Sequence, residues 1–260
     1  RRYHSHAVQW SRGCPFNCSF CTVINVQGRT MRFRDADRIL AWIRENYRSR
    51  GISAYFFTDD NFCRNKHWEA IFDGLIRLRV EERIRIAFMV QVDTQSYKLP
   101  NFIAKAKAAG CSQVFIGLES LNAQNLEAAG KRQNLAANFH AMVEAYRRAG
   151  INTHVAYIIG FPFDSPVSVQ QDLQRLNDEL GPEQASFFML TPLPGSRDNV
   201  VLTPHLAAST AEAQLRVSID AVEVLLAYLL QGEVRSAVNI TGMPSHLSAH
   251  GRAFVDLCSR

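Results

Sequence analysis

The chain has 260 residues, a formal net charge of +5 and 47% hydrophobic residues, which suits one large domain or two small ones with a sizeable core. No window has the apolar run of a membrane span, and the start, Arg1-Arg2-Tyr3-His4, lacks signal-peptide architecture. The positive charge is spread out, and Arg32, Arg34 and Arg38 read as a solvated loop and helix start rather than an RNA footprint. Six cysteines, three of them clustered, point to a reducing compartment, and the expected location is cytoplasmic.

Taken in order, Ala7–Trp10 reads as a first strand running into Ser11-Arg12-Gly13, so that the chain opens directly on structure, as a fragment would. Residues Asp35–Ser49 recur at helical spacing through Ile39, Leu40, Ile43 and Tyr47, and Gly51 stops that helix. Ser53–Thr58 is a buried strand closing on Asp59-Asp60-Asn61, followed by a helix from about Lys66 to Leu78. The same alternation continues through strand Arg85–Val92, helix Lys98–Ala109, strand Gln113–Leu118 and helix Leu135–Ala149. It ends with strand Thr153–Ile159, helix Ser165–Leu180 and strand Ala185–Leu190. Six strands alternating with helices predict an α/β fold with a parallel sheet, either doubly wound or a partial barrel. No G-x-G-x-x-G follows a strand, so a dinucleotide site is unsupported.

The chemistry concentrates in Cys14-Pro-Phe-Asn-Cys18-Ser-Phe-Cys21, a C-x3-C-x2-C loop. Three thiolates on one loop can hold a soft metal centre, and they cannot all pair as disulfides. Structural zinc wants four ligands, and no fourth stands at finger-like spacing. An iron cube also usually takes four cysteines, so three would leave one iron open to a substrate or cofactor. The alternatives are a zinc knuckle or unrelated buried cysteines.

This loop resembles the signature of the radical S-adenosylmethionine (SAM) enzymes. The resemblance implies a partial (β/α)6 TIM-like barrel in which Cys14, Cys18 and Cys21 hold a [4Fe–4S] cluster, with SAM on the fourth iron. It also implies a small-molecule substrate and a low-potential electron donor such as flavodoxin or ferredoxin. Asp59 and Asp60 stand where the family often carries Gly-Gly-Glu, which receives the SAM ammonium; a helix N-cap is the alternative. Glu119 in Gly-Leu-Glu-Ser resembles the family's ribose-binding position, with a salt bridge to Lys131 or Arg132 as the alternative. Gly160 resembles the glycine that lets backbone approach adenine, or is a plain strand-to-loop turn, and Phe20 either stacks near adenine or packs the loop. Cys63 is a candidate catalytic thiol, whereas Cys111 reads as a structural thiol.

The wording Ser-Arg-Gly-Cys-Pro-Phe-Asn-Cys, Asp-Asp-Asn-Phe, Phe-Ile-Gly-Leu-Glu-Ser, Gly-Lys-Arg-Gln-Asn and Pro-Leu-Pro-Gly-Ser is similar to the cobalamin-binding-type group. That group includes methylases and relatives of the porphyrin cyclase. Its members usually carry a cobalamin-binding domain upstream of the cysteines, and no such segment precedes them here, which leaves the use of cobalamin open. The expected division is a radical SAM core over residues 1–197 and an appendage, mainly helical, over 198–260.

The appendage changes character: it has no lysine, and of 16 phenylalanines it holds only Phe254. Residues 199–239 resemble the end of the catalytic region of D-3-phosphoglycerate dehydrogenase, in which the histidine of Thr-Pro-His, here His205, is the catalytic acid/base. That family's other catalytic groups lie upstream, where this chain carries the cysteine loop, and a lone histidine is a poor proton shuttle. Two further readings accordingly stand beside a radical SAM enzyme: a catalytically dead chimeric module, and an NAD-linked 2-hydroxy acid dehydrogenase fragment.

Overall fold

Parallel neighbours must be joined by a crossover long enough to return the chain to the same sheet edge, and the alternating pattern supplies one after each main strand. The computed structural model describes residues 5–190. The readings that fall on 198–260, including His205, lie outside the described residues.

Strand β1 (Ser5–Val8) is followed by β2 (Ser11–Arg12), the short helix α1 (Val23–Val26), β3 (Arg32–Phe33) and α2 (Ala36–Arg50). Next come β4 (Ala54–Phe57), α3 (Trp68–Val80), β5 (Ala87–Val92), α4 (Phe102–Ala109) and β6 (Cys111–Glu119). The described chain closes with α5 (Ala123–Ala128), α6 (Phe139–Arg148), β7 (Asn152–Ile159), α7 (Pro166–Arg175) and β8 (Gln184–Met189).

Six of these strands form one sheet in the order β1-β4-β5-β6-β7-β8, every pair parallel. The order never reverses. Right-handed crossovers in an unreversed order put every helix on the same face, which is the arrangement of a barrel and not of a doubly wound sheet.

The helix-facing side holds the core. Phe57 stacks on Phe88 with ring centroids 4.3 Å apart, and Phe72 lies against Phe62, Phe88 and Phe102. Along each strand these alternate with residues facing the other way, so Phe88 and Val90 are buried while Gln91 lines a cavity.

Several boundaries differ from the sequence reading for local reasons. β1 stops at Val8 because the amides of Trp10 and Ser11 are taken by the Asp59 carboxylate instead of a neighbouring strand. α4 starts only at Phe102: Pro100 disfavours helix at the residue before it, and Leu99 is extended at φ −70°, ψ 126°. Asp35 caps α2 by accepting from the Arg38 amide, and Gly51 closes it in the left-handed region at φ 67°.

Candidate active site

The cysteine loop is an insertion held at its neck. β2 and β3 pair antiparallel, with Ser11 opposite Phe33 and Arg12 opposite Arg32, and they close a long excursion between them. Gly13 sits just inside at φ +95°, where a Cβ would come within 2.8 Å of the Thr30 carbonyl oxygen. Only glycine fits there without strain. The Cys14 amide donates to the Gly28 carbonyl at 3.3 Å.

The end of β4 pins this neck. Asp59 is fully buried and accepts from the Trp10 amide (3.1 Å), the Ser11 amide (2.6 Å) and the Ser11 hydroxyl (2.6 Å). Asp60 accepts from the Gly13 amide at 2.7 Å. The far side of the loop rests on the turn after α5, where the Ser19 amide donates to the Ala129 carbonyl at 2.9 Å. Gly130, at φ +67°, lets the Asn17 carbonyl approach to a distance that a Cβ would reduce to 2.8 Å.

Cys14, Cys18 and Cys21 line one cavity of about 250 Å3 at the carboxyl ends of the strands. That is where parallel α/β folds bind ligands. All three are free thiols. Phe20, Asp60 and Glu119 share the cavity wall, so three of the predicted positions converge with the three cysteines. Asp59 does not line it, and neither does Gly160, whose amide donates to Asp164 Oδ2 at 2.8 Å in a strand-to-loop turn. The Cys63 thiol is enclosed and donates to Asn61 Oδ1 at 3.1 Å; burial holds its proton well above the ordinary thiol value. Cys63 does not line the cavity of the three cysteines, so the structure does not bring it together with them.

Two ion pairs flank the thiols. Lys131 Nζ donates to Glu119 Oε1 at 2.6 Å and stands 5.6 Å from the Phe20 ring centre. The salt-bridge alternative for Glu119 is therefore present, with Lys131 as its partner. Burial works against the lysine charge, but Glu119 and the neighbouring Cys18 and Cys21 outweigh it and hold the ammonium above the ordinary lysine value. Gly117 makes room for this pair, because a Cβ there would come within 2.1 Å of Glu119 Oε1. On the other flank, Arg64 binds both oxygens of Asp93, at 2.6 and 3.0 Å, and lies over the Phe16 ring at 5.3 Å. Burial opposes the Asp93 charge, and Arg64 with Asn61 overcomes it to hold the carboxyl below its usual range.

Arg64, Gln91, Asp93, Lys131 and Gln133 were not singled out as site residues from sequence. Strand-end position marked Gln91 and Asp93, and the Gly-Lys-Arg-Gln-Asn phrase contained the other cavity pair, Lys131 and Gln133.

Three free thiols lining one cavity are a soft donor set of the kind that holds an iron–sulfur centre. Burial raises the Cys14 and Cys18 thiols, while Lys131 acts in the opposite direction on both. A bound metal centre would drive the deprotonation that burial opposes.

The sequence pattern of the Radical SAM superfamily matches residues 8–176. Bacteriochlorophyllide d C-12(1)-methyltransferase of Chlorobaculum tepidum is 30% identical over 189 residues, covering 72% of this chain and 40% of the relative. Hopanoid C-2 methylase of Rhodopseudomonas palustris is 27% identical over 169 residues, covering 64% of this chain and 32% of the relative. The structure of the radical SAM methyltransferase TsrM from Kitasatospora setae, with cobalamin and a [4Fe–4S] cluster bound, superposes with a TM-score of 0.62 at 20% identity, covering 71% of this chain and 36% of that one. The chain thus spans about 40% of the length of the curated methyltransferase it matches. These likenesses concern the radical SAM part and give the dehydrogenase-like reading of the tail no support. From the cysteine loop through the parallel sheet, the chain belongs to the radical SAM superfamily, enzymes that use a [4Fe–4S] cluster and SAM.

Proposed function

We propose that this chain is the catalytic barrel of a radical SAM methylase acting on an unactivated carbon of a small molecule. The observation that carries this reading is the convergence of three free thiols on one strand-end cavity. The methyltransferases and methylase among its relatives support the choice of methylation.

Cys14, Cys18 and Cys21 would hold the cluster. The cluster would supply the electron that cleaves SAM to methionine and a carbon radical able to take a hydrogen atom from a C–H bond that lacks an acidic proton. Asp60 offers a carboxylate at the cavity wall, suited to a cationic ammonium. Phe16, Phe20 and Phe115 give the wall aromatic surface that displaces water and can carry a flat ring. Glu119, already bonded to Lys131, presents a fixed acceptor for hydroxyl groups. A flavodoxin or ferredoxin would deliver the electron. Among the described residues no helix is long and apolar enough to cross a membrane, and a cytoplasmic site of action is part of the proposal.

Reconstitution with iron and sulfide under anaerobic conditions tests it. The expected result is a brown protein that releases 5′-deoxyadenosine from SAM with dithionite, and loss of both properties in Cys14→Ala, Cys18→Ala and Cys21→Ala. Methyl transfer that depends on added cobalamin would assign that cofactor as well. Zinc bound in place of iron and sulfide would overturn the reading, and a brown protein that leaves SAM intact would favour a dead module.

A further inference from the structure

We infer that the turn 129–134 sets the reduction potential of the iron–sulfur centre, Lys131 through its charge and Gln133 through an N–H aimed at the Cys18 sulfur. This rests on the radical SAM reading of the cysteine loop and goes beyond it, since that reading assigns no residue to the tuning of the cluster.

The turn is built as a rigid wall. The Lys131 amide donates to the Leu126 carbonyl at 2.8 Å. The Gln133 carbonyl accepts from Thr94 Oγ1 at 3.3 Å and Gln95 Nε2 at 2.6 Å. Buried Asn134 donates to the carbonyls of Gly117 and Leu118, each at 2.8 Å. The wall is therefore tied to the ends of β5 and β6, and through Ala129 and Gly130 it touches the cysteine loop itself.

Two donors on it face the thiols. Gln133 Nε2 lies 3.9 Å from Cys18 Sγ, within reach of an N–H···S bond. The Lys131 ammonium acts electrostatically on Cys14, Cys18 and Cys21. Its side chain is only 14% exposed, so water screens the charge weakly. Cluster potentials follow net charge, hydrogen bonds to sulfur and exposure. Reduction adds negative charge, so a nearby cation and an N–H···S donor both favour the reduced state. The Glu119 carboxylate opposes them.

The signs are therefore fixed in advance. The probe is the reconstituted protein without SAM, titrated with dithionite and redox dyes while the electron-spin signal of the reduced cluster is followed. Lys131→Met should lower the midpoint by at least a tenfold change in the reduction equilibrium, about 59 mV for one electron. Gln133→Leu should lower it less, and Glu119→Gln should raise it. If Lys131→Met loses its fold because Glu119 is left unpaired, the double variant Lys131→Met/Glu119→Gln keeps the test open, with a midpoint expected below that of Glu119→Gln alone. Equal midpoints in those two proteins, or shifts of the same sign in Lys131→Met and Glu119→Gln, would overturn the inference and leave the radical SAM reading intact. A wild-type protein that forms no iron–sulfur centre would sink that reading, and the inference with it.

Discussion

Adjacent aspartates at the end of β4 divide their duties. Asp59 holds the neck of the cysteine loop by three hydrogen bonds, and Asp60 faces the cavity. Burial lifts the Asp59 carboxyl to about 6 from 3.8, against the Ser11 hydroxyl and the Trp10 and Ser11 amides. The folded chain thus binds this proton more tightly than the unfolded one. The stability this contributes is complete below pH 3.8 and is lost as pH rises through about 6. Asp59→Ala should consequently cost more at pH 5 than at pH 7.5, by about 1 kcal/mol, read from urea denaturation at the two pH values. A penalty independent of pH would contradict it. The sequence marked the pair without separating its members, yet the signal was there. Continuing the strand's alternation puts Asp59 on the buried side with Tyr55 and Phe57, and Asp60 on the other. Lys131 and Gln133 stood in the Gly-Lys-Arg-Gln-Asn phrase, but alternation says nothing of their approach to the cysteines, which depends on how a turn packs against a distant loop.

The β2–β3 ribbon and the β4 end clamp the cysteine loop, and Gly13 is the tightest point of the clamp. Gly13→Ala combines a strained backbone with a clash against the Thr30 carbonyl, at a cost of about 1–3 kcal/mol. The expected outcome is a protein that retains its barrel by circular dichroism but takes up markedly less iron on reconstitution, measured by metal analysis. Full iron uptake would show that the clamp has slack. Among the elements, α2 was the most legible, since periodicity and Gly51 agree, and Asp35, read as its first residue, is its cap. The ribbon was not legible, because two-residue strands have no period to detect. Nor was α5, a six-residue helix whose only mark is the Asn122 cap. The last helix reads as one run, but after α7 it widens into a π turn over Leu176–Leu180 before Gly181 ends it.

Across the whole molecule, the hydrophobic pattern fixed six strands but not their order, because a doubly wound sheet and a barrel share the same alternation. The choice came from the resemblance carried by the cysteines, and the observed order agrees with it. Among the described residues, strands β4, β5, β6 and β7 are paired on both sides, whereas α1 is a four-residue helix with Val26 71% exposed. Amide exchange followed by mass spectrometry should therefore be slowest in β4–β7 and orders of magnitude faster in α1. Equal protection in α1 and the sheet would speak against this gradient. The unreversed strand order also bears on biosynthesis. Each main strand joins the one made just before it, so the sheet can be laid down as the nascent chain leaves the ribosome. The cysteine loop is translated before β4, whose end pins its neck, and the lysine-bearing wall only after β6, so the two supports of the loop are made in succession and not together.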